Sequence, residues 1–216
     1  MKLLFFDLET TGLDYNKCAI IQIAAIVAEV DIKNKINAID AINLKMKPRS
    51  DKFIDSHALE VNKFSLEEIM LWKDDHEVYL QFIEFLSKYV DKFNKIDKFY
   101  LVGYNNIKFD FDFLKQWFKD NGDKYLMSWW WPNQIDVMSE ATRYLIQYRP
   151  IMNNFKLLNV AKVLEIPFDE NLLHDGLYDV KLTYKIFKKI IESNTPIMPF
   201  NEQKALEIFN GQNQHE

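Results

Sequence analysis

The sequence contains a single cysteine, Cys18, among 216 residues. One thiol cannot close an internal disulfide, so a stapled secreted scaffold is excluded and a reducing compartment is expected. No apolar run is long enough to span a bilayer, and no signal-peptide pattern opens the chain, so a cytoplasmic protein without a membrane partner is expected. Arginine is also scarce: Arg49, Arg143 and Arg149 are the only three, and lysine supplies the rest of the basic charge. Lysine meets a phosphate as a point charge, whereas bidentate reading of bases favours arginine. Sequence-independent nucleic-acid binding is the weak inference, and a biased genome composition explains the lysines equally well. Neither an HExxH nor a paired CxxC motif is present, which leaves a zinc site without support. There is no internal repeat and no low-complexity linker.

What is present describes one well-cored domain. Hydrophobic residues make up 48% and charged residues 27% of the chain, within the ordinary globular range. The 15% aromatic share leaves bulk for a core and a binding surface. The net charge of −5 argues against a protein that coats DNA with a broad basic face. It does not argue against a carboxylate cluster that holds metal ions, because the ions reverse the local field.

Apolar runs over residues 2–8, 19–30 and 36–46 read as three strands, followed by a polar stretch containing Pro48. Helical periodicity covers about 65–89. Residues 99–103 form a fourth strand, 109–119 a helix stopped by Asn121-Gly122, and 134–137 a fifth strand. Helices over 138–147, 154–164 and 176–192 complete the order, which predicts one α/β domain with a mixed sheet covered by helices. Residues 1–192 are expected to form the domain. Residues 193–216, set off by a stretch with two prolines, are expected to form a C-terminal tail.

Three clusters carry chemistry. In FDLETTG, residues 6–12, Asp7 and Glu9 stand two apart and so share one face of a strand. Paired carboxylates repel unless a cation joins them, and hard oxygen ligands suit Mg²⁺ or Mn²⁺. The Thr10-Thr11-Gly12 turn brings backbone amides close to a substrate. In VGYNNIKFDFDFL, residues 102–114, Asp110 and Asp112 lie at a helix start, where a carboxylate is also a natural cap; taken alone, the cap is the favoured reading. In HDGLYDV, residues 174–180, a loop imidazole at His174 precedes a helix-borne carboxylate at Asp179. His57, His76 and His215 read as solvated.

In combination the three clusters resemble the DnaQ-like, or DEDDh, family of 3′-to-5′ exonucleases. The likeness runs in order from Lys2 to about Ile191. It implies a ribonuclease H-like α/β fold with a central five-stranded mixed sheet flanked by helices. It also implies that Asp7, Glu9, Asp110 and Asp179 bind two Mg²⁺ ions, with Mn²⁺ able to substitute, and that His174 is the general base. Asp110 is preferred over Asp112 because it directly follows Phe109. Thr10, Thr11, Gly12, Leu13 and Asn106 are the implied substrate contacts, with Leu13 a wedge against the terminal bases or, equally, a core residue. The GYNN turn is similar to that of exonuclease I-type members and departs from the His-Asn found elsewhere in the family.

The implied activity is two-metal hydrolysis of single-stranded DNA to nucleoside monophosphates. RNA trimming, or a catalytically silent polymerase-associated nucleic-acid-binding module, are the competing readings. Trp129-Trp130-Trp131 offer a stacking platform, although aromatic clusters beside a strand are more often core anchors. Asp136 is expected to support the site rather than bind metal. Lys181, Lys185, Lys188 and Lys189 are expected on a solvated helix face. The tail segment QKALEIF, 203–209, faintly resembles a sliding-clamp-binding peptide, with an ordinary amphipathic helix as the simpler reading; a polymerase or clamp is the partner it implies.

Overall fold

The computed structural model describes residues 1–105, 107–173, 175–193 and 195–210. Five strands, β1 (Lys2–Thr10), β2 (Ile20–Val30), β3 (Ile36–Lys45), β4 (Tyr100–Gly103) and β5 (Ile135–Asp136), form one sheet in the order β3-β2-β1-β4-β5. The β1–β2 and β2–β3 pairs are antiparallel, while β1–β4 and β4–β5 are parallel. This is the five-stranded mixed sheet expected from the sequence. Among the described residues, eight α-helices accompany it: α1 (Ser56–Asn62), α2 (Leu66–Met70), α3 (Asp75–Ser87), α4 (Ile107–Asp120), α5 (Val137–Tyr144), α6 (Leu157–Val163), α7 (Gly176–Ile191) and α8 (Glu202–Asn210).

The unbroken apolar run of β1 has a direct cause: helices cover both faces of the sheet, so both faces must be greasy. Leu3 and Phe5 join a core with Tyr144 of α5, Val160 of α6, and Val180 and Ile186 of α7. Leu4, Phe6 and Leu8 face the other way, into a core with Val78 and Phe82 of α3 and Phe113 and Trp117 of α4. Trp129 and Trp130 lie fully inside this second core. Trp129 and Trp130 are therefore core anchors, and neither ring offers a surface for stacking, whereas Trp131 is half-buried.

The single helix expected over 65–89 is instead two, α2 and α3, with a further helix, α1, ahead of them in what reads as a polar stretch. Capping explains the breaks. Asp55, Ser65 and Asp74 each accept a backbone N–H at the start of α1, α2 and α3, and Lys63 ends α1 in the left-handed conformation at φ 59°. A small cluster of Ile21, Leu59 and Ile69, with Phe64 and Trp72 against it, pins α1 and α2 to β2.

The outer edge of β3 is closed by side chains of α7 and the residue after it. Tyr184 Oη accepts from Ala38 N, Lys188 Nζ donates to Ile36 O at 2.6 Å, and Glu192 accepts from Ile36 N. Lys188 is thus a structural residue, whereas Lys181, Lys185 and Lys189 are exposed as expected. After α7 the chain runs back over the domain: Met198 N donates to Tyr144 O, the Phe200 ring meets Tyr148, and Lys204 pairs with Glu165. QKALEIF falls within α8. Among the described residues, no helix is long and apolar enough to cross a membrane.

Candidate active site

The carboxyl end of β1 is where the chemistry-bearing residues collect. Asp7 and Glu9 sit on the same face as Leu3 and Phe5, the face that α7 covers. Glu9 lies opposite Gln22 of β2, and a register shift between Glu9 and Thr10 ends the regular pairing at that point. A bulge of this kind bends the strand and re-aims its side chains. The fully buried Gln22 donates from Nε2 to Asn43 Oδ1 at 2.8 Å, bracing the floor beneath Glu9.

β4 lies parallel to β1, with Phe5 beside Val102, so the turn after Gly103 emerges at the same end of the sheet as Asp7. Such an end, where connections diverge to either side, is where α/β sheets bind ligands. α4 starts at Ile107, two residues earlier than the sequence pattern indicates. That places Asp110 inside the first helical turn, 2% exposed, rather than at the cap. Asp112 faces away and pairs with Lys115 at 2.5 Å. The turn ahead of α4 is held from β5. Asp136 Oδ1 accepts from Asn105 N at 2.9 Å and from Met138 N at 3.0 Å, and Oδ2 accepts from Ser139 Oγ at 2.7 Å. Asn105 there is left-handed, at φ 60°. Tyr104 donates its hydroxyl to Phe155 O, and burial pushes that phenol above its ordinary range.

Asp179 lies in the first turn of α7, and Asp175 caps the helix by accepting from Tyr178 N. The helix approaches the sheet closely at Gly176, where an added Cβ would already touch Ala24 and Gln22 at 3.5 Å. His174 and Asn106 lie outside the described residues. Leu173, just before His174, is tied to the end of α1 by Lys63 Nζ, which donates to its carbonyl at 3.1 Å. His57 is exposed beside Glu60, and His76 pairs with Asn121.

Electrostatics join these elements. The carboxyl of Glu9 is pushed up to about 9, first by burial and then by the negative charges of Asp7, Asp179 and Asp175. Asp175 is the participant that motif reading misses. Its signal is an acidic residue before the glycine that opens a helix, a pattern that reads as a cap and nothing more. Among the described residues, no group of three or more His, Cys, Asp or Glu side chains is drawn together closely enough to hold a metal ion by itself. The donor chemistry nonetheless fits a hard divalent cation. The negative charges of Asp7, Asp179 and Asp175 bear on one buried carboxyl, and Mg²⁺ completes a partial oxygen shell with water.

The TTG turn is built from its own hydroxyls. Thr10 Oγ1 donates to Gly12 O, Thr11 Oγ1 donates to Phe53 O at 2.7 Å, and both residues are buried. Asn62 of α1 donates to Thr10 O. Gly12, at φ 158°, passes so close to Cys18 that a Cβ would stand 2.6 Å from Sγ. Leu13, by contrast, is 84% exposed, so core packing is not its role.

Comparison with known proteins is consistent with this arrangement. The RNase_T exonuclease family model matches residues 4–187. The PolC-type DNA polymerase III of Mycoplasmopsis pulmonis is 27% identical over 183 residues, which is 84% of this chain but 11% of that protein. E. coli exonuclease I in complex with a dT13 oligonucleotide superposes with a TM-score of 0.67 at 21% identity, covering 88% of this chain and 40% of that one. The zinc-bound exonuclease I–ssDNA complex from E. coli gives 0.69 at 18% identity, over 99% and 43% of the two chains. These superpositions give the fold, which is ribonuclease H-like. This chain spans a tenth of the polymerase and under half of exonuclease I. With the match extending over most of its length, the chain belongs to the RNase_T exonuclease family.

Proposed function

We propose that the protein is a 3′-to-5′ exonuclease that hydrolyses single-stranded DNA, one nucleoside monophosphate at a time, with divalent metal ions. The observation that carries this reading is Glu9, whose buried carboxyl is surrounded by the charges of Asp7, Asp175 and Asp179. Carboxylates held around a buried carboxyl favour a bound cation, because like charges in a low-dielectric surrounding oppose one another.

In this reading Asp7, Glu9, Asp110 and Asp179 hold two Mg²⁺ ions, and Mn²⁺ can replace them. The bound ions would neutralise the scissile phosphate and lower the pKa of an attacking water. His174, the residue after Leu173, takes the proton of that water; an imidazole suits the task because its ordinary pKa lies near ~6.5. Asp136 positions the turn that leads into α4, and with it Asp110; Asn106 is a substrate contact. The Thr10–Leu13 turn lies against the terminal nucleotide, Leu13 outermost. DNA is favoured over RNA because the relatives named above are a DNA polymerase and an exonuclease I bound to single-stranded DNA. Residues 1–192 are the catalytic domain in a cytoplasmic protein. Residues 193–216 form the tail, and docking of a polymerase or sliding clamp would fall to it.

The test is digestion of end-labelled single-stranded DNA, duplex DNA and RNA side by side in Mg²⁺. Single-stranded DNA should shorten from its 3′ end, and Asp7→Ala or His174→Ala should remove nearly all activity. Full activity in either variant discards the assignment, and faster loss of RNA moves the substrate to RNA.

A further inference from the structure

An exposed aromatic ring beside the site belongs not to Trp129 or Trp130 but to one residue in the polar stretch between β3 and α1. Phe53 is 60% exposed, yet its backbone is among the most firmly held near the site. Its N–H donates to Lys17 O at 2.7 Å, its carbonyl accepts from Thr11 Oγ1 at 2.7 Å, and it forms a parallel bridge with Cys18. Two residues on, Asp55 N donates to Thr11 O. The segment is thus latched on both sides to the turn that follows Glu9. An aromatic ring on a fixed backbone, left in water, has an unspent hydrophobic surface of the kind that marks a binding site.

Phe53 does not stand alone. Leu13, on the same turn, is 84% exposed, and Tyr15 is 38% exposed with its ring braced edge-on against Phe113 of α4. Three apolar side chains on mutually bonded segments therefore face solvent beside the carboxylate crevice. Nearby acidic groups are already engaged: Asp14 accepts from Asn16 N and Lys17, and Asp120 binds Lys52 at 2.7 Å. A nucleobase suits such a wall, because every base has a flat π-face and stacking needs no particular sequence.

We infer that Phe53 is a positioning residue that stacks on a base near the 3′ end of the strand and, with Leu13 and Tyr15, holds the terminal phosphodiester over Asp7 and Glu9. This rests on the exonuclease reading, and the experiment separates the two. Single-stranded oligonucleotides carrying 2-aminopurine at each of the last three positions are mixed with wild type, Phe53→Ala and Phe53→Trp. Binding and fluorescence are read in Ca²⁺, and KM and kcat in Mg²⁺, with thermal melting as a check on folding.

Wild type should alter the fluorescence at one of the three positions. Phe53→Ala should lose that signal and raise KM roughly tenfold, the size of one lost stack, with a much smaller change in kcat. Phe53→Trp should restore both. An unchanged KM and signal in a normally folded Phe53→Ala overturns the inference while leaving the exonuclease standing. Failure of tryptophan to rescue overturns it too. A wild type that binds with the fluorescence change but never cleaves leaves Phe53 as a stacking residue and ends the exonuclease reading.

Discussion

Replacing Glu9 by glutamine should make the metal-free protein more stable while stopping it from working. The unfolded chain ionises this carboxyl at about its ordinary value of 4.5, whereas the folded protein resists ionisation up to about 9. Unfolding therefore releases a proton anywhere between those values, and stability falls as pH rises through that window. Below pH 4.5 both states are protonated and the variant gains nothing. At pH 7 the full difference amounts to about 3 kcal/mol, and solvent screening of a carboxyl that is not wholly enclosed reduces it to the order of 1–2 kcal/mol. For a chain of this size that is a rise in Tm of roughly 2–8 °C.

The assay is thermal and urea denaturation of both proteins in a chelator at pH 5, 7 and 8.5. The gap between them should open with pH. Added Mg²⁺ should then stabilise the wild type more than the glutamine variant, because a cation relieves what the substitution has already removed. Parallel pH profiles, or a variant less stable than wild type at pH 8.5, would refute the electrostatic argument.

Other perturbations probe the supports of the site. Gly12→Ala drives a methyl into Cys18 Sγ and should cost about 1–3 kcal/mol in urea melts; adding Cys18→Ala should recover much of it, and no recovery would move the cause to the backbone. Asp136→Ala removes the acceptor of Asn105 N, Met138 N and Ser139 Oγ. It should cost about 1–2 kcal/mol and lower nuclease activity beyond the stability loss; wild-type activity would show that the turn holds without it. Removal of residues 201–216 tests the tail: equal clamp binding before and after deletion ends the docking idea.

Much of this arrangement is legible in the residues because it rests on short-range rules. Strand alternation alone puts Asp7 and Glu9 on one face, and the apolar lead-in says the strand is buried. Asp110 is harder, since a carboxylate near a helix start looks the same whether it caps or lines a crevice. Only the true start at Ile107 separates the two. The periodicity over 65–89 survives a break because α2 and α3 each bury one face, while the capping by Ser65 and Asp74 is a one-residue signal inside it. Asp175 and Phe53 are silent in sequence for a different reason. Their importance comes from distant segments folding against them, Glu9 in one case and Thr11 and Lys17 in the other.

The closed margin of β3 bears on how this protein can keep company. Ile36 and Ala38 spend their outward backbone groups on Lys188, Glu192 and Tyr184. A free strand arriving there finds no ladder to climb, so the sheet is protected from growing into a neighbour at that stretch. Any larger machine that incorporates such a unit must grip it there through side chains. The unit can then be fused or embedded without that stretch of the strand becoming a template.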